Sequence, residues 1–302
     1  MEQGVIPVES LSGGFDLQST IESGQSYLWH REDGTTYETD RAYGDDGWYW
    51  TTFRPADRTD PAVVRVRQLD GRLEWESGVD AEAHLRQRLR LDDDLDAILD
   101  ATPDDRLLAD AYETYRGMRL VRDPPFGTLV SFICSAQMRV ARIHGMQAAL
   151  RRTYGQEVTF KGNSYRAYPT PEALAGATEA ELRELGLGYR APYVQRSAEL
   201  VATGDRDPVD ATGRPYEAAR EFLTGFVGVG QKVADCILLF SLGYLEAVPL
   251  DTWIRSTIEE YYPECDRGNY DETSRAIRAA FGGEYAGYAQ TYVFHYLRNG
   301  DD

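Results

Sequence analysis

The sequence predicts an α+β protein in which an N-terminal antiparallel β-sheet domain is followed by a larger all-α domain. In roughly the first 80 residues, apolar and polar side chains alternate in short runs rich in aromatic and β-branched types. After that point the apolar side chains recur at helical spacing, and no internal repeat is evident. We therefore predict two domains: residues 1–115, β-rich with connecting helices, and residues 116–302, helical.

Three runs in the N-terminal region alternate in the way of half-buried strands: GWYWTTF (47–53), AVVRVRQL (62–69) and GRLEWES (71–77). The pair Asp70-Gly71 separates the last two runs. An Asp-Gly pair between alternating segments is the strongest short signal of a β-hairpin. These runs therefore predict an antiparallel sheet.

The remaining segments carry helix start signals and helical periodicity. Thr170-Pro171 predicts one helix start, and Thr178 with Glu181 three residues later predicts a second start through a capping box. Further segments with helical spacing are 191–203, 215–224, 231–243, 251–262, 271–281 and 285–298.

The charge balance is strongly acidic, with a formal net charge of -18, a pI of about 4.7 and only two lysines. Taken alone, this argues against a nucleic-acid partner, because phosphate neutralisation needs Lys and Arg. Abundant Asp with scarce Lys also fits adaptation to high salt, where charge repulsion is screened within roughly 3 Å. We favour that interpretation over an ordinary acidic protein, so local Arg placement is more informative than net charge.

Cysteine and histidine spacing argues against metals, cofactors and disulfides. Cys134, Cys236 and Cys265 are scattered, which excludes a four-cysteine iron–sulfur cluster and argues against a disulfide framework. The four histidines lack metal-binding spacing, so we predict no metal and no cofactor. No apolar run could span a membrane and the N-terminus does not resemble a signal peptide, so we expect a soluble, cytoplasmic monomer.

The stretch FVGVGQKVADC (226–236) combines a glycine turn with Lys232, one of the two lysines. Its context predicts helix, Gly-Val-Gly hairpin, helix, which would expose backbone N–H groups at a helix start and favour an anion. A Rossmann interpretation fails, because no strand precedes the motif and a third glycine is missing. An amine can act as a covalent nucleophile and a guanidinium cannot, so a lysine retained here suggests chemistry rather than an incidental surface charge.

A carboxylate follows the hairpin in the segment VPLDTWIRS. Asp251 precedes a helical run, so its simplest role is an N-cap. It could also face Lys232 and stabilise a cationic sugar transition state, as carboxylates do in glycoside chemistry.

Five segments in the same order resemble the helix–hairpin–helix DNA glycosylases, most closely the 8-oxoguanine DNA glycosylases. They are SGQSYLW (23–29), FICSAQMRVARIHGM (132–146), GLGYRAPYV (186–194), GVGQKVADC with VPLD, and YAGYAQTYVF (285–294). The resemblance covers most of the chain and implies an antiparallel β domain followed by a helix–hairpin–helix glycosylase domain. It also implies a partner, double-stranded DNA with a damaged base that is flipped out of the helix.

The resemblance implies the following roles. Lys232 would attack the sugar and form a Schiff base, which permits strand cleavage, while Asp251 would stabilise the sugar cation. The Gly24 carbonyl would accept a hydrogen bond from N7–H of 8-oxoguanine, which guanine lacks. Cys236 and Phe294 match the family's residues that pack on the two faces of the flipped base. Gln290 matches the residue that hydrogen-bonds its Watson–Crick edge. Tyr189 and Arg190 match the family's wedge and its contact to the base opposite the lesion, and Arg142 also matches an opposite-base contact. The full set of predicted contacts to DNA is Gln137, Arg139, Arg142, Tyr189, Arg190, Gly228, Gly230, Val233 and Trp253.

Some positions depart from the family pattern. Gln137, Met138 and Arg139 stand where the family has asparagines, one of which fills the space left by the flipped base. Trp253 stands where a histidine near a phosphate is common, and Val227 replaces a usual proline. The lesion range and the preferred opposite base therefore stay open.

Two alternatives to a bifunctional glycosylase and lyase stay open at this stage. An alkylbase glycosylase of the same superfamily would use the aspartate without the lysine. A non-enzymatic helix–hairpin–helix module would explain the glycine hairpin but not the predicted base pocket.

Overall fold

The computed structural model of the protein describes residues 1–38 and 46–300. A five-stranded antiparallel sheet forms the N-terminal part, in the order β1-β5-β4-β3-β2. Its strands are β1 (Glu2–Pro7), β2 (His30–Arg31), β3 (Tyr49–Phe53), β4 (Ala62–Leu69) and β5 (Arg72–Ser77). Among the described residues, no helix is long and apolar enough to cross a membrane.

The predicted hairpin joins β4 to β5. Leu69 pairs with Arg72, so the turn has two residues, and the φ angles of Asp70 and Gly71 are 49° and 70°. Positive φ at both turn residues is the geometry that matches the twist of the flanking strands. The hairpin prediction and the antiparallel sheet are confirmed.

Helices make up most of the rest of the chain. They are α1 (Leu17–Glu22), α2 (Glu82–Arg88), α3 (Leu95–Asp100), α4 (Arg106–Thr114), α5 (Pro125–Ile133), α6 (Val140–Tyr154), α7 (Pro171–Ala175), α8 (Glu179–Leu182), α9 (Ala191–Thr203), α10 (Tyr216–Leu223), α11 (Gln231–Ile237), α12 (Thr252–Tyr261), α13 (Tyr270–Ala280) and α14 (Ala286–Asn299). A π-helical segment, Leu238–Leu242, continues α11.

The helix predictions hold from α7 to α14. Thr170 caps α7, and Thr178 and Glu181 form the predicted capping box at the start of α8. Two elements were not anticipated. Helix α1 lies in the region read as strands, and a small hairpin, β6 (Glu157–Phe160) with β7 (Asn163–Arg166), interrupts the helical part. Both are short, so each offers too few residues to show a period.

Two large apolar cores underlie this architecture. One packs the sheet against α2 through residues such as Trp29, Tyr49 and Leu85. The other lies among α5, α9, α10 and α11, and residues before position 115, such as Leu95, also pack in it. The division at residue 115 therefore stays a prediction. A third cluster joins α12, α13 and α14 to α4.

Candidate active site

The Gly-Val-Gly turn connects α10 to α11 as predicted. Gly228 has φ of 83°, and a Cβ at this position would lie 2.7 Å from Cδ2 of Tyr193, so only glycine fits. Gly230 is the N-cap residue of α11, which leaves backbone N–H groups of the first helical turn without helical partners. This geometry suits the phosphate contact predicted for Gly228, Gly230 and Val233, which stays a prediction.

Lys232 lies in the first turn of α11 and faces the end of α5. Its Nζ donates a hydrogen bond to the Ser135 hydroxyl at 3.2 Å and lies 5.5 Å from the centre of the Phe132 ring. Cys236 follows one turn later on the same face and is buried. Burial raises the pKa of its thiol to about 12, so the thiol is neutral near pH 7.

Asp251 occupies the N-cap position of α12, where its carboxylate accepts the Ile254 N–H at 2.9 Å. Burial raises the pKa of this carboxyl group, and the charge of Lys232 and the helix N–H groups oppose that rise. The N-cap role and proximity to Lys232 therefore coexist in one side chain.

A cavity of about 1020 Å³ brings the predicted catalytic and base-pocket residues together. Its lining includes Gly24, Lys232, Cys236, Asp251, Gln290 and Phe294. These residues come from the end of α1 and from α11, α12 and α14, so distant parts of the chain meet at one site. The predicted catalytic and base-pocket residues therefore line one cavity, and their roles stay a prediction.

Gly24 is fitted closely into the cavity wall. Its φ is 94°, and a Cβ there would lie 2.9 Å from Nη1 of Arg298 and 3.2 Å from Cε1 of Phe294. Arg298 donates hydrogen bonds to the carbonyls of Ser23 and Glu22, at 3.2 and 3.1 Å, and stacks over Phe294 at 5.3 Å. The Gly24 turn is therefore held by α14, which also carries Gln290.

Five of the nine predicted DNA-contacting residues line the cavity. Gln137, Arg139, Gly230, Val233 and Trp253 line it, whereas Arg142, Tyr189, Arg190 and Gly228 lie outside the lining. Gln137 is exposed and has φ of 56°, a strained value for a residue with a side chain. Trp253 keeps 42 % of its surface exposed, so it presents an aromatic face to solvent.

The predicted wedge pair divides into an exposed and a buried residue. Tyr189 is 55 % exposed, as a wedge requires. Arg190 is only 3 % exposed, donates to the Ala136 carbonyl and stacks on Tyr189 at 4.3 Å. Its predicted contact with the opposite base stays a prediction that requires the guanidinium to leave Ala136.

Three segments that carry predicted DNA-contacting residues contain no acidic residue. Residues 124–156, 185–198 and 222–234 contain no Asp or Glu, in a chain whose net charge is -18. They carry Arg139, Arg142, Tyr189, Arg190 and Lys232. A negative overall charge is therefore compatible with a local surface that a phosphate backbone can approach. The pattern is visible in the sequence alone.

Two further groups at the site were missed. Arg298 follows Phe294 by four residues, the same spacing that joins Gln290 to Phe294, so the helical period could have pointed to it. Asp235 is fully buried beside Cys236, where it accepts hydrogen bonds from Tyr216 and Tyr270. The sequence signal for this group is an acidic residue, Asp235, within an otherwise apolar helical run between Ala234 and Cys236.

Two family models match the chain, and together they span nearly all of it. The first, the HhH-GPD superfamily base excision DNA repair protein, matches residues 130–281. The second, the 8-oxoguanine DNA glycosylase N-terminal domain, matches residues 6–129.

Individual proteins agree with the family models. A probable N-glycosylase/DNA lyase of Methanothermobacter thermautotrophicus is 31% identical over 95% of this chain and 94% of its own. The N-glycosylase/DNA lyase of Saccharomyces cerevisiae is 32% identical over 82% of this chain and 68% of its own. The solved structure of Clostridium acetobutylicum 8-oxoguanine glycosylase/lyase with DNA containing cytosine opposite 8-oxoG has a TM-score of 0.80 and 27% identity, covering 95% of this chain and 93% of that one.

Proposed function

This chain belongs to the HhH-GPD superfamily of base excision DNA repair proteins, and on that premise we propose that Lys232 and Asp251 perform its chemistry. The protein is an N-glycosylase and DNA lyase that removes 8-oxoguanine from duplex DNA. The observation that carries the residue assignment is one cavity lined by the amine, the carboxylate and the predicted base pocket.

The reaction begins with breakage of the bond between the base and C1′ of the deoxyribose. The Nζ lone pair of Lys232 forms a bond to C1′, while the base leaves with the bonding electrons and takes up a proton. The nitrogen then loses one proton, and its lone pair forms the C=N bond as the C1′–O4′ bond breaks. A proton is delivered to O4′, and the product is an open-chain, protonated Schiff base. Removal of a C2′ proton then expels the 3′ phosphate and cleaves the strand.

Asp251 supplies a fixed negative charge where the sugar becomes cationic. Its N-cap bond to Ile254 holds the carboxylate in place before DNA arrives, so little reorganisation is needed during the reaction. The cost of keeping this group buried, seen in its raised pKa, is consistent with a functional role.

The base pocket reads the lesion by its hydrogen-bonding edge and its faces. The Gly24 carbonyl accepts N7–H of 8-oxoguanine, and the normal base offers an acceptor there instead. Cys236 and Phe294 pack on opposite faces of the flipped base, and the Gln290 amide bonds its Watson–Crick edge. The fixed Gly24 turn and the neutral Cys236 thiol support this assignment.

The exposed side chains at the cavity mouth hold the duplex open. Tyr189 wedges between bases, Gln137 fills the space that the flipped base leaves, and Arg139 and Arg142 contact the DNA. Trp253 stacks against the DNA, at a position where the family commonly has a histidine near a phosphate. From the sequence we also propose that the protein acts as a monomer and is located in the cytoplasm.

Borohydride trapping tests the assignment of the nucleophile. Wild-type protein and duplex containing 8-oxoguanine should give a covalent adduct, and Lys232→Gln should abolish it while retaining DNA binding. The only other lysine supplies the matched control: Lys161 pairs with Glu76 at 2.5 Å on the sheet, so Lys161→Gln should trap normally. An adduct that survives Lys232→Gln would refute the assignment.

Excision and binding assays on further substrates separate the alternatives. Excision of 3-methyladenine without strand cleavage would favour an alkylbase glycosylase. A Lys232→Gln variant that changes affinity alone, with no excision by the wild type, would favour a binding module. A panel of opposite bases at low and molar salt would establish the opposite-base preference and test the predicted salt adaptation.

A further inference from the structure

Helix α11 has two rows of side chains, one lining the cavity and the other in contact with neighbouring helices. Lys232 and Cys236, four residues apart, line the cavity. Gln231 and Asp235, also four apart and about 100° around the helix, contact α10 and α13 instead. A rotation of α11 that moved the second row would therefore also move the Lys232 amine.

Asp235 is the centre of the second row. It is completely buried, and its two carboxylate oxygens accept hydrogen bonds from the hydroxyls of Tyr216 and Tyr270, each at 2.7 Å. Nη1 of Arg220 lies 3.6 Å from the same carboxylate and balances its charge. A buried carboxylate with this many partners holds its helix in one orientation, because any shift would leave a buried polar group unsatisfied.

Tyr270 connects Asp235 to the segment that carries Asp251. Its hydroxyl donates to Asp235 and accepts the backbone N–H of Leu250 at 3.2 Å. Leu250 directly precedes Asp251. Two successive hydrogen bonds through one hydroxyl therefore link α11, which carries the amine, to the start of α12, which carries the carboxylate.

Gln231 provides a second tie on the same side. Its Nε2 donates to Asp271 at 2.8 Å, and Arg220 donates to the same Asp271 oxygen at 2.5 Å. Gln231, immediately before Lys232, is thus anchored to α13, and Asp235, three residues after it, is anchored to both α10 and α13. The anchors do not line the cavity, so their effect on chemistry acts through position.

Taking the proposed roles of Lys232 and Asp251 as given, we propose that Asp235 and Tyr270 are positioning residues. They fix the Lys232 amine relative to the Asp251 carboxylate. Displacements near 1 Å are enough to slow a positioned reaction by about 10²-fold, so loss of this link should lower the rate without weakening DNA binding.

The test uses Tyr270→Phe, which removes the linking hydroxyl and keeps the ring. Tyr216→Phe is the matched variant within the network, because it loses a 2.7 Å bond to the same carboxylate but has no bond to Leu250. Tyr244→Phe is the outside control: its hydroxyl makes two 2.8 Å bonds, to the carbonyls of Ala211 and Arg214. Each variant is measured for single-turnover excision of 8-oxoguanine, borohydride trapping and affinity for duplex with a stable abasic-site analogue.

We expect Tyr270→Phe to lower the excision and trapping rates at least about tenfold, with affinity within about twofold of the wild type. Tyr216→Phe should lose less, and Tyr244→Phe should match the wild type. A Tyr270→Phe rate within twofold of the wild type, a rate loss matched by lost affinity, or equal losses in Tyr270→Phe and Tyr216→Phe would overturn the proposal. Failure of the wild type to form an adduct would instead overturn the proposed function.

Discussion

The carboxylate of Asp251 accepts a hydrogen bond from the backbone N–H of Ile254 at 2.9 Å. The residue proposed to stabilise the sugar cation is therefore also the N-cap of helix α12. The two roles make opposite demands. A cap needs only an oxygen acceptor, whereas stabilisation of a cation needs a negative charge that burial disfavours, as the raised pKa shows. A substitution that keeps the acceptor oxygen but removes the negative charge can therefore distinguish the contribution of Asp251 to stability from its contribution to catalysis.

Asp251→Asn should keep the cap and lose the catalysis. The amide oxygen can still accept the Ile254 N–H, so we expect unchanged or slightly greater stability, and excision slowed by about 10²- to 10³-fold. Asp251→Ala should lose a similar factor in rate and also about 1 kcal/mol of unfolding free energy. Single-turnover kinetics and urea unfolding measure the two effects. Wild-type rates in Asp251→Asn would contradict the assigned role.

Gly24→Ala should damage lesion recognition beyond its cost in stability. The added Cβ would contact Arg298 and Phe294, and the backbone has φ of 94°. Gly204→Ala is the matched control, since φ is 76° there but, in the described residues other than its chain neighbours, no atom lies within 4 Å of an added Cβ. Both variants should lose roughly 1–2 kcal/mol of unfolding free energy from the left-handed backbone. We expect Gly24→Ala alone to lose excision of 8-oxoguanine, and equal excision by the two variants would contradict the pocket assignment.

The sequence signals that predict the catalytic centre are local. Lys232 and Cys236 share one helical turn, Gln290 and Phe294 share another, and Asp251 precedes a helical run. The bounds of α9 to α14 followed from the same periodicity and from capping residues. Resemblance joined these pieces into one site, and the cavity confirms that they meet.

Features that depend on contacts between distant parts of the chain were not predictable in this way. Tyr216, Asp235 and Tyr270 meet only because α10, α11 and α13 pack together, and nothing in their spacing indicates it. The burial of Arg190 follows from its bond to Ala136, 54 residues earlier in the chain. Periodicity reports which face of an element is buried but not which partner covers it.

Arg139 and Arg142 should contribute to DNA affinity through charge. Both are exposed on the acid-free segment 124–156. If each contacts one phosphate, Arg139→Gln and Arg142→Gln should each weaken binding for all sequences and reduce the slope of log K against log salt by about 1. Arg183→Gln is the control, because Arg183 pairs with Glu179 at 2.7 Å. Titrations of an abasic-analogue duplex over a salt series measure the slopes, and unchanged slopes would exclude phosphate contacts by these two residues.

Acidification should destabilise the protein through its histidines. Burial lowers the pKa of His84 to about 3 and that of His144 to about 4, and it holds the pKa of His30 and His295 well below the usual value of 6.5. Below pH 6.5 the unfolded chain therefore binds more protons than the folded protein, and stability falls with pH. Asp235 and Asp251 act in the opposite direction, because burial raises the pKa of Asp235 to about 6 and that of Asp251 above its usual value. The four histidines outweigh these two carboxyl groups.

His30 offers the clearest test of this pH dependence. Its ring lies 4.9 Å from that of Trp50 and 4.6 Å from that of His144, and the positive charge of Arg151 further disfavours its protonation. Between pH 6.5 and pH 5, keeping one such histidine neutral removes about 2 kcal/mol of unfolding free energy. Urea unfolding across this range should show that the free energy of unfolding decreases towards pH 5. His30→Gln should reduce the slope of that free energy against pH by the equivalent of about one bound proton. A wild-type stability that stays constant or rises from pH 6.5 to pH 5 would contradict the prediction, because it would mean that the folded protein binds protons as readily as the unfolded chain.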